Sequence, residues 1–220
     1  MWSHHNYQQK VTYKLSIQHP WQRTSTRVQH AKYLWLTFSN NLSWNIHIDN
    51  ITKKANATCA FLRRNMNSCS RQVKAQCYTT LVRPNLEYAA TVWDPCTKFN
   101  INKLEKCQHR AARFVIGDYS RESSVTSMLK ELKWPTLQQR RTNTKMVMMY
   151  RIVHHLIVIP SQMYLTPARG HHQKFQIPFS RIQSHQNSYF TSAIRTGNNL
   201  PAVLISVPTL EAFKVELAHV

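Results

Sequence analysis

The sequence predicts a mainly α-helical array carrying one short strand near its start. Two observations predict it. Apolar residues recur at three- and four-residue steps through most of residues 44–156. Ser, Thr or Asn stands where those periodic runs begin, as helix caps do. The strand comes from "AKYLWLTFS" (31–39), a short run of aromatic and β-branched residues.

Taken in order, residues 1–30 are polar, histidine-rich and without period, with a short strand expected near Val11–Ile17. Ser43 caps a first helix over 44–66, whose buried face is Trp44, Ile48, Ile51, Ala55, Phe61, Leu62 and Met66. Lys53, Lys54, Arg63 and Arg64 lie off that face. Ser70 caps a second helix with Val73, Cys77, Tyr78 and Leu81, and Pro84 ends or kinks it. Residues 86–95 read as a short helix or extended piece, closed by Asp94-Pro95. Asn100 caps the third long helix and Gly117 closes it as a C′ residue. Its buried face is Ile101, Leu104, Ala111 and Val115.

Ser123 or Ser124 starts a short helix with Val125, Met128, Leu129 and Leu132. Trp134-Pro135-Thr136 is a break and a new cap, and a long helix then runs from about Leu137 to Leu156. It holds Arg140, Arg141 and Lys145 early, and Met146, Met149, Ile152 and Val153 later. Residues 160–208 contain five prolines, so loops with short strands or turns are expected there. Thr209 caps a last helix with Leu210, Phe213 and Leu217. Three stretches result: 1–42, a helical region 43–117, and a helical extension 118–220 that is loop-rich over 160–208.

Charge sets the chain apart. Lys and Arg number 29 against nine Asp and Glu, a net +20. A protein this basic repels itself and gains most by lying against a polyanion, and nucleic acid is the usual one. The cations are spread along the chain, which argues against an anionic membrane surface. "MVMMYRIVHHLIVIP" is too short and too polar to span a bilayer. Five dispersed cysteines and no apolar leader at the N-terminus lead to the expectation of an intracellular protein with reduced thiols.

Catalytic chemistry finds little purchase. Only Gly117, Gly170 and Gly197 are glycine, which excludes P-loop and dinucleotide fingerprints. Two-metal phosphoryl transfer needs clustered carboxylates, yet no two acidic residues are adjacent. Asp94 and Asp118 sit where turns and caps sit. The three histidine doublets put neighbours about 100° apart on a helix, and there is no Cys-x-x-Cys or His-x₃-His. Cys59, Cys77 and Cys107 fall on or beside apolar stripes, where a thiol acts as a small hydrophobe. No metal, cofactor or small-molecule substrate is expected.

Cations do form a pattern. In "NKLEKCQHRAARFVIG" (102–117), Lys103, Lys106, Arg110 and Arg113 stay within about a quarter of the helix circumference. Such like charges repel by a few tenths of a kcal/mol per pair unless an anion faces them. Glu105 points away from the stripe, and Phe114 either stacks on a base or joins the core. Lys53, Lys54, Arg63, Arg64, Arg140, Arg141 and Lys145 add cations on other helices. The group reads as phosphate contacts.

Longer phrases carry a resemblance. "HAKYLWLTFSNNLSWNIHIDNITKKANATCAFLRRN", "VKAQCYTTLVRPNLEYAATVWDP", "INKLEKCQHRAARFVIGDY", "SSVTSMLKELKWPTLQQRR" and "SAIRTGNNLPAVLISVPTLEAFKVEL" resemble the C-terminal part of non-LTR (LINE, jockey/CR1-like) retrotransposon reverse transcriptases. The resemblance implies that 1–42 is a remnant of the palm edge, 43–117 the thumb-like helices, and the remainder the extension after them. It implies a non-catalytic fragment of an RNA-directed DNA polymerase, without the aromatic-x-Asp-Asp motif, that binds RNA or an RNA–DNA duplex. Two departures stand out. The family has Tyr-Leu-Gly where this chain has Tyr33-Leu34-Trp35, so strain is expected at that turn. It has Arg-Leu-Trp-Asn where this chain has Arg195-Thr196-Gly197-Asn198, so a core anchor is expected to be missing. The rival expectation is a structural or protein-interaction helical domain, or a decayed product with no nucleic-acid role.

Overall fold

The computed structural model describes residues 28–169 and 174–218. The strand expected near Val11–Ile17 lies outside them. The described chain is mainly helical, with one two-stranded antiparallel sheet.

The expected strand is a hairpin. β1 (His30–Tyr33) pairs with β2 (Leu36–Ser39), and Tyr33 faces Leu36 across a two-residue turn. That turn is Leu34-Trp35, with φ of 44° and 67°. Both residues are left-handed, as a type I′ turn demands, where Asn-Gly is the usual pair. The sequence carries no such signal, so the run reads as continuous. The inner face of β2 meets the next helix: Thr37 N–H donates to Nδ1 of buried His47, 3.3 Å away.

α1 (Asn45–Asn65) buries Ile48, Thr52, Ala55 and Leu62, while Phe61, expected inside, is exposed. The cap is one residue late: Ser43 Oγ accepts from Asn45 N–H, and Trp44 holds the N-cap position. α2 (Arg71–Cys77) starts at Ser70, whose side chain accepts from Val73 N–H. Its expected apolar face is out of phase. Val73 and Leu81 are exposed, and Tyr78, Val82 and Leu86 are buried. Tyr78 is buried as expected; beyond it, a π-helical segment, Tyr78–Val82, widens the turn just before Pro84 and moves the buried positions from Leu81 to Val82 and Leu86. Pro84 has no N–H to return to Thr80, and it sits in the first turn of α3 (Arg83–Glu87), where none is needed. Ala89, at φ 51°, then swings the chain into α4 (Ala90–Trp93) and buries Trp93 completely.

α5 (Lys98–Ile116) is capped by Thr97 rather than Asn100. Asn100 is buried and donates to Asn45 Oδ1 at 2.7 Å. Gly117 ends the helix at φ 82°, as expected of a C′ glycine. α6 (Val125–Glu131) lays Met128 and Leu129 on Ala112. α7 (Leu137–Val153) is capped twice. Thr136 accepts from Gln139 N–H, and the Glu105 carboxylate accepts from the Leu137 and Gln138 N–H groups at 3.2 and 2.8 Å. A carboxylate at a helix N-terminus is favourable, which explains why Glu105 turns away from the basic stripe.

The loop-rich reading of 160–208 needs correction. It contains α8 (Gln183–Gln186), α9 (Tyr189–Gly197) and α10 (Ala202–Ile205). α11 (Leu210–Leu217) follows, capped by Thr209 as expected. Two main cores result. One joins β2, α1, the helices to α5 and Leu137; the other joins Met146, Met149 and Tyr150 to Ala193, Ile194, Leu204, Phe213 and Leu217. The division falls inside α7, not near residue 117, because α6 packs back on α5. Gly197 lines an apolar pocket of about 40 Å³ with Met149, Phe175, Ile194 and Phe213. This is the position where the resembled family carries tryptophan.

Candidate nucleic-acid interface

The basic stripe of α5 lies along α1, and the two helices run parallel. Three cross-pairs fix the register: Asn45 with Asn100, Asp49 with Lys103, and Asn56 with Arg110 at 2.8 Å. On α1, Lys53, Arg63 and Arg64 project within about 60° of the Asp49 direction, and all three are exposed. Lys106 and Arg110 are exposed on α5. Together they make one basic face along the seam. Lys54 points about 140° from Asp49, on the flank away from α5.

Not every cation of the stripe is free. Lys103 is ion-paired with Asp49. Arg113 folds onto the loop after α5 and donates to the Ser120 and Ser123 carbonyls at 2.8 and 3.4 Å. Asp118 organises that loop by accepting from Ser123 Oγ and Ser120 N–H, and these bonds hold its carboxyl below the usual range. Phe114 is buried, with Lys74 over its ring, so it joins the core.

Of the α7 cations, Arg141 and Lys145 are buried and Arg140 is half-buried, and all three are ion-paired, which corrects the expectation of phosphate contacts at Arg141 and Lys145. Arg140 forks onto Glu87, with Nη2 to Oε2 at 3.0 Å, and the bond raises its pKa further. Arg141 is 2% exposed, and its Nε donates to Asp94 Oδ1 at 3.1 Å. Lys145 reaches the other oxygen of Asp94 at 2.6 Å. An α7 cation that swung out to a phosphate would give up a partly buried ion pair, although Asp94 would keep its other cation and Glu87 would keep Arg83, whose Nε lies 3.9 Å away. Asp94, Glu87 and Asp49 are thus counter-ions drawn from other helices. They lie about 50 residues from their partners, a separation that no local pattern reports.

Among the described residues, no three His, Cys, Asp or Glu side chains come together to hold a metal ion. Cys107 is buried, and burial pushes the Cys59 thiol up to about 11, so neither is a ready thiolate. No described helix is long and apolar enough to cross a membrane. Sequence reasoning missed one residue of the face: Phe99, four places before Lys103, stands exposed in the first turn of α5. Its spacing from Lys103 was the available signal. No family model matches the chain, and no curated protein or solved structure matches it.

Proposed function

We propose that this chain binds RNA or an RNA–DNA duplex through its phosphates, as a non-catalytic C-terminal piece of a non-LTR retrotransposon reverse transcriptase. One observation carries the binding. Exposed Lys53, Arg63, Arg64, Lys106 and Arg110 line one seam. Among the described residues, the one carboxylate on that seam, Asp49, is already held by Lys103. Five cations without counter-ions repel one another, and a polyphosphate relieves that repulsion while releasing its own condensed ions. Such contacts hold the backbone and read no bases. The phrases shared with the reverse transcriptase family supply the biological setting.

The test is salt dependence. Fluorescence anisotropy with a labelled 20-nucleotide RNA, between about 50 and 300 mM salt, gives a slope of log affinity against log salt. Each engaged phosphate contributes about −0.7 to it for a single strand. Changing Lys53, Arg64, Lys106 and Arg110 together to Gln is expected to reduce the slope by about 3 and to weaken every sequence alike. Salt-independent binding, or an unaltered slope in that variant, overturns the reading.

A further inference from the structure

One side chain on this face is not explained by charge. Phe99 is 74% exposed, although it belongs to a well-formed helix beside polar residues. A phenyl ring left in water forgoes the stabilisation that burial would give it. At about 100° per residue, Phe99 projects between Lys103 and Lys106, inside the basic stripe. Its neighbour is Lys103, whose Nζ lies 5.7 Å from the ring centroid. The same ammonium is bound to Asp49, so the ring is tethered to the edge of the seam between α1 and α5. The span from Phe99 to Arg110, the last exposed cation of the stripe, is about 16 Å at 1.5 Å per residue. A strand rising about 3.4 Å per nucleotide covers that distance in about five nucleotides.

An aromatic ring at one end of a row of cations is the arrangement that holds single strands: cations follow the backbone and the ring receives a base face. A blunt duplex keeps its bases stacked inside, out of reach of a ring on a convex helix. We propose that Phe99 is a stacking platform for an unpaired nucleobase, so that this face prefers single-stranded nucleic acid to blunt duplex. The inference rests on the phosphate reading above and narrows it.

The experiment uses the full chain with a labelled ten-nucleotide oligo-U RNA, its abasic counterpart and a blunt ten-base-pair RNA–DNA duplex, all at low salt. Phe99→Ala is expected to weaken oligo-U binding by about 5- to 100-fold, with the salt slope unchanged and duplex binding unaltered. Phe99→Trp is expected to restore oligo-U binding. The abasic strand is expected to bind wild type and Phe99→Ala equally. Equal losses on oligo-U and duplex, no loss on either, or a fall in molecular mass on Phe99→Ala that marks a contact between copies would each overturn the platform. A parallel Lys106→Gln, Arg110→Gln variant separates the two ideas. If it loses binding while Phe99→Ala does not, the phosphate face stands and the platform falls; if wild type itself binds none of the probes, both fall.

Discussion

Asp94 receives Arg141 on one carboxylate oxygen at 3.1 Å and Lys145 on the other at 2.6 Å. Two cations therefore share one anion at the junction of α4 and α7, and the Nη1 and Nη2 atoms of Arg141 are buried without a partner among the described residues. Buried ions repay their desolvation only when well paired. Asp94→Asn removes the shared anion and strands both cations. The expected cost is about 3–5 kcal/mol in urea unfolding. Adding Arg141→Met should recover part of the loss, because the two changes act on one network and are not additive. A cost below about 1 kcal/mol would mean that this cluster contributes nothing net.

Trp35 offers a change in the opposite direction. It stands 73% exposed at φ 67°, with Lys32 Nζ 4.5 Å from its ring centroid. A left-handed non-glycine residue costs about 1–2 kcal/mol. Glycine removes that strain but returns about 0.5–1 kcal/mol as chain entropy. Trp35→Gly is therefore expected to stabilise the protein by about 0.5–1 kcal/mol, read as a higher urea midpoint with an unchanged slope. A lower midpoint would show that the ring makes contacts worth more than the strain.

These two sites show what the sequence could and could not disclose. Strain at Trp35 was expected from the resemblance, which has glycine at that place, and the residue does stand in the left-handed region at φ 67°. The hairpin itself was not, because Leu34-Trp35 is no turn signal. Helix starts at Ser70, Thr136 and Thr209 were legible, since a hydroxyl cap is a local device. The phase of the second helix was lost at Tyr78, where a π turn breaks the 3.6-residue period that sequence reading assumes. For the face, the cations on α1 and α5 were legible as stripes. Which cations on α7 were already spoken for was not, since Glu87 and Asp94 arrive from elsewhere in the chain.

Gly197 is a helical glycine in α9, and a methyl group added at its Cα would meet nothing within 4 Å. Its φ is not left-handed, so alanine fits the backbone without strain. Gly197→Ala is expected to add up to about 0.5 kcal/mol from helix propensity alone, since Gly197 is the last residue of α9 and the methyl group gains no packing contact. Thermal unfolding monitored by circular dichroism reads this as a small rise in Tm. A fall in Tm would show that the pocket cannot accept even one methyl group.

His47 links the hairpin to pH. Its Nδ1 accepts from Thr37 N–H and its ring meets Trp93 at 5.1 Å between centroids, while Nε2 is buried. Burial lowers its pKa below 6.5. The folded state thus holds fewer protons than the unfolded state just below the ordinary histidine range. Stability rises with pH where the unfolded state binds more protons, so it is expected to fall as pH drops through about 6.5. The fall should continue until the folded-state pKa is reached, below which it levels off. Protonating Nδ1 also cancels its acceptor role, so the β2–α1 contact is the part that loosens. His109, lowered mainly by burial, adds to the same slope. Urea unfolding at about pH 7.5, 6.5 and 5.5 measures it, and His47→Asn should flatten the slope without abolishing it. An equal slope in the variant would assign the whole effect to His109 or to other groups.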